Sequence, residues 1–99
     1  MIQNAGSQFI TADSAVGTSG KPTRVFAINF VSGATAGIVI IRNGTSTSGT
    51  AYVTENGVIS SGKTVEYGTP GVLFPAGCYA DVDVNVTALL VTYSQESSA

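Results

Sequence analysis

The stretch Gly37–Glu55, GIVIIRNGTSTSGTAYVTE, decides how this chain folds. Four apolar residues, Ile38 to Ile41, run into Arg42-Asn43-Gly44, and after a loop of small polar residues the chain resumes as Ala51-Tyr52-Val53-Thr54. β-Branched and aromatic residues on both sides of a Gly, Ser and Thr loop predict a β-hairpin. Asn43-Gly44 suits its turn because both residue types tolerate positive φ at low steric cost. Ile38–Ile41 does not alternate with polar residues, so both faces of its strand are expected to be covered. One face can meet the domain's own core; the other needs a second layer or another subunit.

On the N-terminal side, Arg24–Val31 alternates as a strand. Phe26, Ile28 and Phe30 are assigned to the core, and Val25, Ala27, Asn29 and Val31 to the opposite face. Ser32–Gly37 is a turn of small residues. Asp13–Thr23, with Gly17, Gly20 and Pro22, has loop composition, and nothing in it requires a fixed position unless it lies on a partner. Phe9–Ala12 reads as a short first strand, preceded by a polar arm at residues 1–8.

On the C-terminal side, Asn56-Gly57 is a second turn signal, and Lys63–Tyr67 alternates again. Gly68-Thr69-Pro70-Gly71 breaks the chain. Val72–Phe74 is short and ends at Pro75, which cannot donate to a ladder and so belongs at a strand end or an edge. Cys78, Ala80 and Val82 share one face, Tyr79 and Asp81 the other. A bend at Asp83–Asn85 leads to the last long strand, Val86–Tyr93, apolar on both faces at Leu89-Leu90-Val91. No segment has a 3.6-residue period, so little or no helix is expected. About seven or eight short strands at this spacing predict an all-β, single-domain antiparallel β-sandwich or jelly-roll-like barrel. The expected organisation is an N-terminal arm and first strand at 1–23, the β-sandwich core at 24–94 and a polar tail at 95–99, one domain in all.

Charge is the most informative aspect of the composition. Only 10% of the 99 residues are charged, with net charge −2, against about 25% in ordinary soluble domains. Ser, Thr, Asn and Gln supply the polar surface instead, and no ion has to be stripped of water when such a surface meets a partner. The composition predicts a molecule that works packed against others. Lys21, Arg24, Arg42 and Lys63 are scattered along the chain and make no footprint for nucleic acid. No apolar stretch approaches the ~20 residues of a membrane-spanning helix. Met1-Ile2-Gln3-Asn4 is neither a basic n-region nor an apolar core, so no signal peptide is expected.

Catalytic signals are sparse. The chain has no histidine and a single cysteine, which removes the commonest general base and leaves a zinc site nothing to build on. Cys78 reads as a small buried hydrophobe, since no basic partner is at hand to activate a thiol. Gly68–Gly77 lacks the lysine and following helix of a phosphate loop. Neither an enzyme nor a cofactor site is expected. Asp81-Val82-Asp83-Val84-Asn85 opens like a calcium loop, but Val86 and Thr92 stand where Gly and a carboxylate are required. Asp81 and Asp83 remain candidates for another kind of cation site, against the alternative of a solvated turn bonding its own backbone. Asn43-Gly44-Thr45 and Asn85-Val86-Thr87 match the glycosylation acceptor pattern, and both read as turn chemistry. Tyr52, Tyr67, Tyr79 and Tyr93 could form a sugar-stacking platform or, as is commoner in strands, half-buried packing.

In the C-terminal third, Gly71-Val72-Leu73-Phe74-Pro75-Ala76-Gly77-Cys78-Tyr79, then Asp81–Val86, then a Leu/Val strand ending in Tyr93, resembles small all-β virion proteins of tailed bacteriophages. The Ile41–Thr45 hairpin with its Ser/Thr/Gly loop is similar to the same group. The resemblance spans roughly residues 24–94 and carries no catalytic motif. It implies a capsid-decorating or cementing protein, a homo-oligomer with a trimer favoured, that binds the major capsid protein or other virion proteins. Assembly would take place in the host cytoplasm and the protein would reside in the virion, with neither nucleic acid nor membrane as partner. Ile38, Ile40, Lys21, Arg24, Arg42 and Lys63 are the candidate oligomer or capsid contacts, together with the N-terminal arm and the Ser/Thr/Gly loops. The competing readings are a carbohydrate- or receptor-binding β-domain of a fibre and a neck or tail subunit.

Overall fold

The computed structural model describes residues 3–68 and 70–96. The predicted hairpin forms, with β4 (Ile38–Asn43) antiparallel to β5 (Thr50–Asn56) around the loop Gly44–Gly49. Every outer layer of the fold is wrapped around it. Next outward, β3 (Thr23–Ser32) pairs with β6 (Gly62–Glu66) and β7 (Val72–Phe74), which share one of its edges. Then β2 (Ser14–Ala15) pairs with β8 (Cys78–Val82), and outermost β1 (Gln3–Ile10) pairs with β9 (Val86–Glu96). The midpoint of each such pair, from Gln3 with Glu96 to Asn43 with Thr50, falls inside or at the edge of the Gly44–Gly49 loop. The chain is one antiparallel ribbon doubled back at that loop.

Folded over, the ribbon makes two antiparallel sheets. Sheet A runs β1-β9-β3-β6, with β7 beside β6 on β3, and sheet B runs β2-β8-β4-β5. This is the nested strand order of a jelly roll. The sheets pack as a sandwich and are not closed into a barrel. No helix occurs among the described residues. Between them Ile28, Phe30, Phe74, Leu89 and Val91 of sheet A meet Val39, Ile41, Cys78 and Ala80 of sheet B, all essentially without solvent contact. At roughly 1.5–3 kcal/mol for each large apolar side chain, this interior is what stabilises the two layers against each other.

The side of the sandwich between edge strands β5 and β6 is closed by side chains instead of ladder bonds. Lys63 lies 3.6 Å from Glu55 and donates to the Asn56 carbonyl at 2.8 Å. The Tyr67 hydroxyl donates to Glu55 Oε2 at 3.4 Å. Burial, then the Glu55 charge and this hydrogen bond, push the Tyr67 phenol well above its ordinary range. Inward-facing charges of this kind also keep an edge from recruiting another strand.

Three expectations are corrected. Phe26 is not a core residue: the β3–β9 register shifts between Val25 and Ala27, so Phe26 is the extra residue of a β-bulge. The shift inverts the alternation, turning Thr23 and Val25 inward on one side of it and Ile28 and Phe30 inward on the other. The bulged carbonyl of Phe26 accepts from Tyr67 N at 2.7 Å. Second, Asn43 does not share a turn with Gly44. It ends β4 at negative φ, and its Oδ1 accepts from Ala76 N at 2.8 Å, tying the hairpin to the β7–β8 loop.

Third, residues expected in the N-terminal arm and the polar tail are built into the sandwich. Residues 3–8 of the expected arm belong to β1, and Gln95 of the expected tail is a buried member of β9; residues 1–2 and 97–99 lie outside the described residues. Gln95 also explains why the loop Asp13–Thr23 needs no partner. Its amide nitrogen donates to the carbonyls of Thr18 (2.9 Å) and Val16 (3.3 Å) and to Thr23 Oγ1 (2.9 Å), and its Oε1 accepts from Thr18 N at 2.9 Å. Gly17 makes room for it. Its φ is +67°, and a Cβ there would stand 2.5 Å from Gln95 Oε1.

Gln95→Leu keeps the volume and removes four hydrogen bonds, so urea unfolding should show a loss of about 2–3 kcal/mol. Gly17→Ala should fall in the same range through strain and displacement of Gln95. A loss under ~0.5 kcal/mol for Gln95→Leu, typical of a surface change, would show that the loop is held by something else.

Candidate interaction surfaces

Strand alternation decides what the sandwich presents. On β4, Val39 and Ile41 point inward, so Ile38, Ile40 and Arg42 lie on the outer face of sheet B beside Tyr79 and Asp81 of β8. Ile38 is exposed and Ile40 half-buried, and nothing among the described residues forms the second layer that a doubly apolar strand was expected to have. Arg42 is engaged locally. Its Nε and Nη2 each reach Asp81 Oδ2 at 3.0 Å, and Nη1 donates to the Gly49 carbonyl at 3.1 Å, clamping β8 and the central loop to β4.

The other three basic residues lie elsewhere. Lys63 is paired with Glu55 at the open side of the sandwich. Arg24 is half-buried on the outer face of sheet A, and Lys21 is half-buried in the β2–β3 loop. The four cations therefore do not converge on one contact patch.

The outer face of sheet A carries a feature that the sequence does not announce. Phe9 of β1, Leu90 and Ala88 of β9 and Val31 of β3 line a shallow groove of about 310 Å³, with Asn29 and Thr64 hydrogen-bonded to each other at its border. Phe9 is 67% exposed. These residues are scattered over the sequence and adjoin only because β9 lies between β1 and β3. The apolar double face of Leu89-Leu90-Val91 was the one available sign. A third apolar group, Val58, Ile59 and Val84, projects from two loops at one end of the sandwich, near Gly33. Those loops are joined by the Ser60 N–H donating to Gly33 O and the Gly33 N–H to Asn85 O, at 2.7 and 3.0 Å.

The cation candidates are occupied within the chain. Asp81 is paired with Arg42. Asp83 Oδ1 accepts from the Asn85 backbone N–H and side-chain amide at 2.9 and 3.1 Å, which is the self-bonded turn. No group of three or more metal-ligating side chains is found among the described residues. The tyrosines are also dispersed. Tyr52 stacks on buried Phe74 with ring centroids 5.3 Å apart, while Tyr67, Tyr79 and Tyr93 are half-buried elsewhere in the sandwich.

Cys78 is buried in the core, and burial pushes its thiol up to about 12. The reactive thiolate is thus suppressed at neutral pH. Native protein at pH 8 should resist thiol-specific reagents for as long as it stays folded, and react fully in urea. Because the folded thiol holds its proton above the unfolded value, its share of stability is complete below about pH 9 and declines as pH rises toward 12, by up to ~1.4 kcal/mol per pH unit. Rapid labelling of native protein would contradict the burial. No protein-family model matches the chain, and no curated protein is similar enough to it to be counted a relative.

Proposed function

We propose that this chain is a structural virion protein of a tailed bacteriophage, a capsid decoration or cement protein that seats on the shell and holds neighbouring capsid subunits together. The observation that carries the reading is apolar surface turned outward from both sheets, Phe9, Val31 and Leu90 on one and Ile38 and Ile40 on the other, in a chain with only 10% charged residues. The resemblance of residues 24–94 to small all-β phage proteins adds support of a different kind. A cementing protein needs a stiff body and contact area, and it needs no chemistry. Contacts that are weak singly become strong when several copies or several faces engage one shell, through effective concentration. The partners are the major capsid protein or other virion proteins, and further copies of this chain. The place of action is the virion, after assembly in the host cytoplasm.

The test is reconstitution. Phage particles lacking the protein should break at lower temperature than complete ones, and adding the purified protein should restore them. Ile38→Glu, at an exposed position of sheet B, should weaken the affinity for the shell by about tenfold, equivalent to 1.4 kcal/mol, while leaving the fold intact. No binding to such shells, together with saturable binding to a glycan array, would replace this reading with that of a fibre domain.

A further inference from the structure

A β-sandwich has four edge strands, and each exposes a row of unpaired backbone N–H and C=O groups that can recruit another strand. Three of the four are blunted here. The β2 edge is only two residues long. The β5 edge has an inward Glu55 and a register shift opposite Ile41 and Arg42. The edge shared by β6 and β7 is interrupted between Glu66 and Val72 and carries the inward Lys63.

The fourth edge has none of these devices. Strand β1, Gln3–Ile10, is eight residues long and pairs with β9 without a register shift. Its sequence, QNAGSQFI, contains no charge and no proline. Among the described residues nothing pairs with its far side. Its penultimate residue is Phe9, the exposed aromatic that lines the sheet A groove.

We infer that β1 pairs antiparallel with β1 of a second copy, joining two sandwiches into a dimer with one continuous sheet. The partner follows from the inventory of edges. On a second copy the only strand as open as β1, among the described residues, is β1 itself, and antiparallel self-pairing always matches its own donors and acceptors about a two-fold axis. A neutral strand meets no like charge when it faces itself. The contact also closes: each β1 has one free side, and pairing uses it up. The product is therefore a dimer and not a fibre. The second strand covers Phe9 along the edge. This two-fold symmetry differs from the three-fold that the phage resemblance implies, so a larger assembly would be built from such dimers.

The inference is independent of the virion role. Light scattering at about 100 μM, a concentration at which even a micromolar contact is saturated, should give twice the 10.0 kDa of the chain. Ser7 is exposed at the middle of β1. Ser7→Lys sets two cations against each other near the axis and should return the mass to that of a monomer with unchanged circular dichroism. Ser7→Cys, with Cys78 buried, should form a disulfide-linked dimer under mild oxidation. A monomer at this concentration overturns the inference, as does a dimer whose mass Ser7→Lys leaves unchanged, or open-ended polymer. A monomer that still restores phage shells would overturn the edge pairing alone.

Discussion

The whole sandwich depends on the doubling of the chain at Gly44–Gly49. Once β4 and β5 are antiparallel around that loop, each flanking segment can pair with its counterpart the same distance away, and the nest closes outward to β1 and β9. A single turn thus specifies four levels of pairing. It has a kinetic counterpart. The outermost pairing joins residues at opposite ends of the chain, so its loop entropy is largest and it is best formed last, on a template already made by β3 and β9.

Where the nest is imperfect, side chains repair it. Gln95 satisfies the backbone of a loop that strays from the ribbon, Asn43 holds the β7–β8 loop to the central hairpin, and the Glu55–Lys63–Tyr67 group closes the side left open by two unpaired edges. All three repairs are polar, and those of Gln95 and Asn43 join residues distant in sequence. They explain how a chain with so few charges still fixes its loops: it uses neutral amides, and commits two of its four cations to ion pairs within the fold.

Much of this was legible in the sequence. The strand character of Arg24–Val31, Ile38–Ile41, Cys78–Val82 and Val86–Tyr93 follows from β-branched and aromatic spacing, and so does the all-β sandwich. The inward face of β8 follows from simple alternation at Cys78 and Ala80. What could not be read was whatever depends on register. One inserted residue at Phe26 exchanges the buried and exposed faces of half a strand, and no local pattern marks it. The strand nature of Gln3–Gln8 was hidden as well, because polar residues with a central glycine have little strand propensity and are held there by β9. The sheet A groove is a product of strand order, and only Leu90 hinted at it. Ile38 and Ile40 were legible as outward residues because a strand apolar on both faces in so small a domain must show one of them.

The pairing of Gln3 with Glu96 gives the molecule a mechanical direction. Tension applied between those two points would peel β1 from β9 one rung at a time, the weakest way to load a ladder. Tension applied between the broad faces of the sandwich would have to separate both interdigitated layers at once. A body built this way tolerates outward pressure through its faces far better than traction on its ends.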